Sequence, residues 1–293
     1  MAVGNPRQQE PVPNSAGTDL PKLKAPAGAC DCHMHIYDAA RFPPARPGSR
    51  MQANATVEDY RRLQKRIGTE RTVIVQPAAY STDNRVTLDA IAQLGNARGV
   101  AVVHPDVSYT ELRTLHDGGV RGIRFTVFDP TTAVTRIDMI EPLAERVAGL
   151  GWHVQIHMRG DQIVAHADML GRLRSTIVFD HMGRVPLPDA TNHHAFKVVR
   201  SLIDRGKTWV KLSGAYQDTK IGPPSYADVT PLTQAYVEAA PERMVWGSDW
   251  PHPTEKAKPD DALLFDLLSV WAPDAAVRQR ILVNNPQTLY GFA

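Results

Sequence analysis

The chain has 293 residues and 43% hydrophobic content, which exceeds the usual size of one domain but suits an α/β barrel, a fold that often uses about 250 residues as a single domain. Its 33 basic and 31 acidic residues are scattered along the sequence and leave a formal net charge of +2, which argues against nucleic-acid binding. No apolar run approaches the roughly 20 residues that span a bilayer, so we expect no membrane partner.

The cysteines and the N-terminus indicate a compartment. Cys30 and Cys32 lie too close on one predicted strand to close a loop with a disulfide, and the N-terminus lacks the charged start and apolar core of a signal peptide. We therefore expect a cytoplasmic protein. Residues 1–27 are rich in Pro, Gly, Asn, Gln and Ser and predict a flexible or draped arm, and residues 28–293 are expected to form one domain.

Strands and helices alternate after this arm. The first strand starts near residue 28 and ends in an Asp-Cys-His-Met-His run at 31–35, and a proline-rich stretch at 41–48 predicts a long loop after it. Thr56 is expected to cap a helix through Ile67, with Asp59 as its capping-box partner. The remaining strands are predicted over 71–76, 100–104, 120–127, 152–158, 176–181, 208–213 and 243–249, and the remaining helices over 84–94, 109–116, 137–150, 161–173, 193–205, 229–240, 261–271 and 274–283.

Eight strands separated by helices are expected to run parallel and to close into a (β/α)8 TIM barrel, here with extra helices at the C-terminal end. The alternative is an open doubly wound sheet, which would carry a Gly-rich phosphate-binding turn after its first strand, where this chain has His-x-His instead. Because barrel active sites lie at the carboxyl ends of the strands, ionisable residues at those ends are the site candidates.

The predicted strand ends do carry ionisable residues. His33 and His35 share one face of the first strand, with Cys32 and Met34 on the other, so the two imidazoles can bind one metal ion or one substrate oxygen. Later strands end in or near four further candidates: Arg124, His157, His181 and Asp249.

Two aspartates beside these candidates are expected to orient their neighbours. Asp31 shares the face of His33 but lies one step deeper in the barrel, whereas parity turns Asp180 away from the pocket. Both are therefore predicted to accept hydrogen bonds from groups that line the site.

Four motifs stand at these positions: Asp31-x-His33-x-His35, Val154-Gln155-Ile156-His157, Phe179-Asp180-His181-Met182-Gly183-Arg184 and Trp246-Gly247-Ser248-Asp249-Trp250-Pro251. Together they resemble the amidohydrolase superfamily. Within it, the chain is most similar to the lactonase branch, which includes 2-pyrone-4,6-dicarboxylate lactonases, 4-sulfomuconolactone hydrolases, fuconolactonases and galactarolactone isomerases. The resemblance covers roughly residues 28–290 and implies the same barrel fold.

The resemblance also implies a metal site. In metal-dependent members the ligands come from strands one, five and eight, and the matching residues here are His33, His35, His157 and Asp249. Strand four has no lysine or glutamate in the position that bridges two metals, so one zinc-like divalent ion is expected rather than two. Several lactonases of this branch use no metal, and in that version His33, His35 and His181 would polarise the carbonyl as hydrogen-bond donors.

The implied reaction is the opening of a small anionic lactone. Asp249 is the expected general base, which takes a proton from the attacking water and passes it to the leaving oxygen, while His181 is implied as a ligand or a base. Arg184 is implied to contact an acid group of the substrate, and Arg124 offers a second guanidinium. Tyr216 and His252 follow strands seven and eight and are further candidates for substrate contact.

Other interpretations stay open. A decarboxylase of the same superfamily would use the same metal set, with His181 as acid or base, and a lactone isomerase would use the same scaffold. A non-catalytic binding protein would not need ionisable groups at four strand ends. His104 is equally well explained by hydrogen bonding within the rim of the barrel, and Arg159 by a solvated surface position.

Overall fold

The computed structural model describes residues 10–292, so the predicted arm over residues 1–9 lies outside the described residues, as does residue 293. Eight parallel strands pair in chain order to form one sheet, which confirms the predicted barrel. Their bounds are β1 Cys30–Met34, β2 Arg71–Val75, β3 Ala97–Ala101, β4 Val120–Thr126, β5 His153–His157, β6 Ile177–Phe179, β7 Thr208–Leu212 and β8 Met244–Trp246.

The sheet closes where the chain after β8 meets β1. The backbone N–H of Asp249 donates to the carbonyl of His33 at 2.8 Å, and that of His35 donates to the carbonyl of Trp250 at 2.8 Å. These two bonds bring the first and last strand ends together, which is the arrangement that a carboxyl-end active site needs.

Twelve α-helices surround the strands within the described part of the chain. They are α1 Val57–Ile67, α2 Arg85–Leu94, α3 Tyr109–Asp117, α4 Ile140–Ala148, α5 Gly160–Ala165, α6 Ala167–Arg172, α7 His194–Asp204, α8 Thr230–Ala239, α9 Asp261–Asp266, α10 Leu268–Trp271, α11 Ala275–Gln279 and α12 Asn285–Tyr290. The helix predicted over 161–173 is therefore two helices, and so is the one predicted over 261–271. None of these helices, which all lie within residues 10–292, is long and apolar enough to cross a bilayer.

Local sequence explains where α1 begins and ends. Thr56 and Asp59 form the predicted capping box, and Gly68 follows the last turn in a left-handed conformation with φ of 88°. Strand β3, in contrast, lies three residues earlier than predicted. The side chain of Asn84 explains why β3 ends at Ala101, because its amide both donates to and accepts from the backbone of Val102 and so replaces the next pair of the ladder.

The sheet has an apolar layer on each face. The larger layer packs the outer side chains of the strands against the helices, as Ile74 does. The smaller one lies inside the barrel and is closed below by Tyr290 and Phe292; it contains Cys30, Cys32, Val73, Val75, Val100, Val178, Trp209 and Val245. Both cysteines are free and buried.

A β-bulge in β1 overturns two parity predictions. Asp31 pairs with Thr72 and Met34 with Ile74, so three steps along β1 match two along β2. As a result Cys32 packs inside the barrel next to His33 instead of facing away from it. Asp31 points outward, where it accepts hydrogen bonds from Tyr60 of α1 at 3.0 Å and from the Ser248 hydroxyl at 2.6 Å.

Residues 10–27 lie across the outside of the barrel. The indole of Trp250 donates to the carbonyl of Pro13 at 2.7 Å, and the buried Arg66 donates to the carbonyls of Asp19 at 2.9 Å and Ala16 at 3.0 Å. The Leu23 N–H reaches the Asp266 carboxylate at 2.8 Å. This part of the predicted arm is thus draped and hydrogen-bonded, and it braces the segment that follows β8.

Candidate active site

Four predicted site residues converge at the carboxyl ends of the strands. Atom Oδ1 of Asp249 lies 3.5 Å from Nε2 of His33 and 3.4 Å from Nε2 of His35, and its Oδ2 lies 4.0 Å from Nε2 of His181. All four side chains are buried. His33 lies in β1 and His35 directly follows it, whereas His181 and Asp249 lie in turns just beyond β6 and β8.

The outer nitrogens of the two strand-one histidines have fixed roles. Nδ1 of His35 lies 2.8 Å from the carbonyl of Val75, which can only accept, so Nδ1 carries the proton and Nε2 keeps its lone pair. Nδ1 of His33 lies 3.2 Å from Oδ1 of Asp180. When Nδ1 carries the proton of the neutral ring, Nε2 of His33 also keeps its lone pair. Nε2 of His33 makes no hydrogen bond among the described residues.

This geometry fits a divalent ion. Lone pairs on the two Nε2 atoms face a carboxylate oxygen at 3.4 and 3.5 Å, which is too long for strong hydrogen bonds. Two ligand atoms that each lie about 2.1 Å from a tetrahedral ion are about 3.4 Å apart. A backbone carbonyl and a carboxylate orient the far sides of the rings, as is usual for metal-binding histidines. His33, His35 and Asp249 therefore form a set that could hold one ion.

His157 does not join this set. It ends β5 as predicted, but its ligand atoms are in neither of the two clusters that could hold an ion, which are His33, His35, Asp249 and His33, Asp180, His181. Instead its ring stacks on Phe128, with centroids 5.2 Å apart, and its Nε2 lies 3.1 Å from the guanidinium of Arg184.

Asp180 faces into the site, so the parity prediction was wrong. Strand β6 ends at Phe179, and the chain then enters a left-handed turn in which His181 has φ of 49°. The alternation of a strand does not apply beyond its last residue. Asp180 accepts from Nε of Arg124 at 3.0 Å in addition to its contact with His33. Burial by itself raises the pKa of Asp180, but His33, Arg124 and Lys211 outweigh it and hold this pKa well below its usual range.

Lys211 is a site residue that sequence reasoning missed. It lies on β7 inside the barrel and donates to the carbonyl of Cys32 at 2.8 Å and to Oε1 of Gln155 at 2.7 Å. Its Nζ is 3.4 Å from Nδ1 of His33, directly below the candidate metal site. Burial lowers the pKa of Lys211 to about 8, although Asp180 opposes the shift. The signal was a lysine in the middle of an apolar strand, a place where lysine is rarely found without a partner.

Arg124 and Arg184, the two arginines predicted to bind substrate, have different surroundings. Nε of Arg124 binds Asp180, and its terminal nitrogens make no hydrogen bond within residues 10–292, although the side chain is nearly buried. The fork of Arg184 is engaged by Asp218 through two bonds of 2.7 and 2.8 Å. Of these two arginines, Arg124 is the one whose terminal nitrogens are both without a hydrogen bond among the described residues.

Tyr216 and His252 form a hydrogen-bonded chain that ends on Asp249. The Tyr216 hydroxyl donates to Oδ2 of Asp249 at 2.6 Å, and Nδ1 of the buried His252 lies 3.0 Å from the same hydroxyl. Nε2 of His252 is 3.1 Å from the buried Asp261. Gln217, another residue that sequence reasoning missed, donates to Oδ2 of Asp249 at 2.8 Å. Its position in a loop after a strand carried no sequence signal.

The electrostatics favour neutral histidines beside an ionised carboxylate. Burial lowers the pKa values of His181 and His157 to about 3 each. Burial by itself raises the pKa of Asp249, yet this pKa lies well below the usual range. The hydrogen bonds that Tyr216 and Gln217 donate to Oδ2 favour the ionised form. At neutral pH the site therefore presents imidazole lone pairs and a carboxylate, which are the forms that bind a metal or accept a proton.

His104 and Arg159 lie outside this cluster. His104 follows β3 and its Nε2 donates to the carbonyl of Val134 at 3.0 Å. It lines a surface groove of about 470 Å³ between α2 and α3 that contains none of the site residues. Arg159 forms an exposed ion pair with Asp161 at 3.0 Å.

Residues 30–292 match the amidohydrolase family model. The chain belongs to the amidohydrolase family, an enzyme family, which confirms the resemblance drawn from the motifs.

Members of known activity are similar over almost the whole chain. The chain is 38% identical to 4-sulfomuconolactone hydrolase of Rhizobium radiobacter, with 91% of each chain covered, and 36% identical to 2-pyrone-4,6-dicarboxylate hydrolase of Comamonas testosteroni, with 94% of each covered. It is 34% identical to D-galactarolactone isomerase of Agrobacterium fabrum, which covers 96% of this chain and 97% of the relative. A crystal structure of an Agrobacterium tumefaciens protein superposes with a TM-score of 0.87 at 32% identity and covers 96% of this chain and 99% of that one.

Proposed function

We propose that this protein hydrolyses a small anionic lactone by attack of an activated water on the ring carbonyl. The observation that carries the proposal is that the two carboxylate oxygens of Asp249 have different partners. Its Oδ2 accepts two hydrogen bonds from Tyr216 and Gln217, while the partners of its Oδ1 within residues 10–292 are the two Nε2 atoms of His33 and His35. One carboxylate oxygen is thus left to take a proton from a water held at that point.

The residues that would hold the ion are His33, His35 and Asp249, and their nitrogen and oxygen donors suit zinc. When bound there, a divalent ion polarises a carbonyl and lowers the pKa of water toward about 7.

The proton path follows from the contacts of the chain itself. Asp249 accepts the proton of the attacking water at Oδ1 and returns it to the oxygen that leaves when the ring opens. Nε2 of His181 stands beside the other carboxylate oxygen, at 4.0 Å, and Ser213 holds its Nδ1 at 2.9 Å. His181 is therefore placed to donate a hydrogen bond to the carbonyl oxygen as charge develops on it.

Arg124 supports an anionic substrate. Its terminal nitrogens are the guanidinium edge left without a hydrogen-bond partner among the described site residues, and its Nε is fixed by Asp180. A planar fork held in this way matches a carboxylate or a sulfonate. Two of the relatives are named for substrates that carry such groups, a sulfomuconolactone and a pyrone dicarboxylate.

Lactone isomerisation is the second candidate, because one relative at 34% identity is named as a galactarolactone isomerase. The same base would then take a proton from a hydroxyl of the substrate, and that oxygen rather than water would attack the carbonyl. The two reactions differ in their products, since hydrolysis yields a free carboxylic acid and isomerisation yields another lactone.

A panel of lactones of aromatic and sugar acids tests the proposal. Hydrolysis at neutral pH releases a proton for each ring opened, so base uptake should match substrate loss one for one. Loss of substrate without base uptake would indicate the isomerase. Release of carbon dioxide from carboxylated substrates would indicate a decarboxylase and overturn the proposal.

A further inference from the structure

Arg184 has almost no free hydrogen-bonding capacity. A guanidinium carries five N–H groups. Nε and Nη2 each donate one to Asp218, and Nη1 donates to Oε1 of Gln217 at 2.6 Å and to Nε2 of His157 at 3.1 Å. The plane of the group also covers the ring of Phe128, with 4.3 Å between Cζ and the ring centroid. Four of the five N–H groups are therefore used within the protein.

The contact with Gln217 decides which way its amide points. Arginine can only donate, so the amide oxygen must face Arg184 and the NH2 group must face the other way. That group lies 2.8 Å from Oδ2 of Asp249, which can only accept. A Cβ at Gly214, whose φ is 66°, would stand 3.0 Å from Nε2 of Gln217 and 2.8 Å from Nδ1 of His181, so glycine leaves room for this arrangement.

The contact with His157 decides its tautomer. Nε2 must accept from Arg184, so the proton of the neutral ring lies on Nδ1, which is buried and makes no hydrogen bond among the described residues. In this state neither nitrogen of His157 has a lone pair available for a metal ion.

We propose that Arg184 is a positioning residue, which orients Gln217 toward Asp249 and holds His157 as an Nδ1–H donor, and that it does not bind the anionic group of the substrate. The proposal rests on the proposed lactonase function only for its kinetic test. Arg184 acts on turnover through Gln217, because the amide keeps Oδ2 of Asp249 occupied and Oδ1 free.

Substrate pairs distinguish positioning from binding. Arg184→Met should lower kcat about tenfold to a hundredfold, as is usual when a partner of an active-site group is lost, for an anionic lactone and for its neutral methyl ester alike. The ratio of the two KM values should not change. The matched comparison is Arg124→Met, which should raise KM for the anionic substrate alone. A selective rise in KM for the anion in Arg184→Met would overturn the proposal.

A double-mutant cycle tests the path through Gln217. Gln217→Leu should lower kcat by a factor similar to that of Arg184→Met, and the double variant should be little worse than either. Both changes act on the same hydrogen bond, which Gln217 donates to Asp249. Multiplied effects would mean that the two residues act independently. Arg172→Met, which removes an exposed arginine of α6 that pairs with Glu141 away from the site, should leave both kinetic constants unchanged.

Asp218→Asn provides a test in the opposite direction. If Arg184 bound the substrate, release of its fork from Asp218 would lower KM for the anion. If Arg184 is a positioning residue, Asp218→Asn should instead lower kcat modestly and leave KM unchanged.

A spectroscopic measurement is independent of turnover. The ¹⁵N shifts of the His157 ring, assigned by comparison with His157→Gln, should show a protonated Nδ1 in the wild-type protein, and Arg184→Lys should retain this state while Arg184→Met loses it. A protonated Nε2 in the wild type would refute the role. If no lactone were opened, the proposed function would fail, yet the ring tautomer would still decide the role of Arg184.

Discussion

The mouth and the floor of the barrel interior are built from the same strands but hold opposite kinds of side chain. At the mouth, charged groups are buried in pairs, as Asp180 is with Arg124. On the floor, valines, cysteines and Trp209 pack against Tyr290 and Phe292. Lys211 and Gln155 mark the boundary between the two regions. The apolar burial on the floor therefore stabilises the fold, and the burial of charged groups at the mouth costs part of this stability.

Unpartnered polar atoms have different meanings in the two regions. On the floor, the hydroxyl of Tyr290 and both ring nitrogens of His153 make no hydrogen bond among the described residues, and the two rings pack edge to face. At the mouth, the unpartnered Nε2 of His33 faces the carboxylate of Asp249. An unsatisfied atom on the floor lowers the stability of the fold, whereas one at the mouth marks the reaction centre.

The largest expected effect at the mouth comes from Asp249→Asn. The change keeps size and shape but removes the proton acceptor, so kcat should fall on the order of a hundredfold or more with the fold intact. Lactone hydrolysis and circular dichroism measure the two quantities. Asp161→Asn, an exposed carboxylate near the same rim, is the control. Near-normal turnover in Asp249→Asn would end the proposed role.

Metal content tests which histidines hold the ion. We expect about one equivalent of zinc in the purified wild-type protein, most of it lost in His33→Asn and retained in His157→Phe, because Nε2 of His157 is occupied by Arg184. Elemental analysis gives the answer without an activity assay. Loss of metal from His157→Phe would mean that His157 is a ligand, as the family resemblance implies. Full wild-type activity in chelator, with little metal bound, would show that the ion is absent.

The boundary residue Lys211 is expected to make the free energy of unfolding depend on pH. Burial lowers its pKa in the folded protein to about 8, whereas the ordinary value is 10.5. Between these values the unfolded chain binds more protons, so the contribution of Lys211 to the free energy of unfolding rises with pH, by about 3 kcal/mol in all. The free energy of unfolding of the wild type, relative to that of Lys211→Met, should therefore increase from pH 8 to pH 10.5. Urea unfolding at several pH values measures this difference. A difference that does not vary with pH would contradict this.

The smallest effect is expected on the floor. Tyr290→Phe removes a buried hydroxyl that has no partner among the described residues, so kcat should not change and stability should stay the same or rise by up to about 1 kcal/mol. Thermal unfolding and turnover test this together. A clear loss of activity would mean that the floor takes part in the reaction and that the contrast between the two regions is false.

Much of the fold could be predicted because its signals are local. The capping box of Thr56 and Asp59 and the alternation of apolar runs depend on neighbours within a few residues. The barrel then followed from the number of strands, and the position of the site from the rule that carboxyl ends converge. His33, His35, His181 and Asp249 come together as those ends meet.

The sequence by itself thus determined the barrel, its family and the residues at its mouth, because each depends on a local pattern or motif. Only the tertiary structure decided which groups those residues face. The bulge in β1 turned Asp31 outward, and the end of β6 turned Asp180 inward. Arg184 found its partners at the last residue of β5 and on the loop after β7. Such pairings join atoms that are tens of residues apart in the chain, and no spacing in the sequence encodes the direction of a side chain once a strand has ended or bulged.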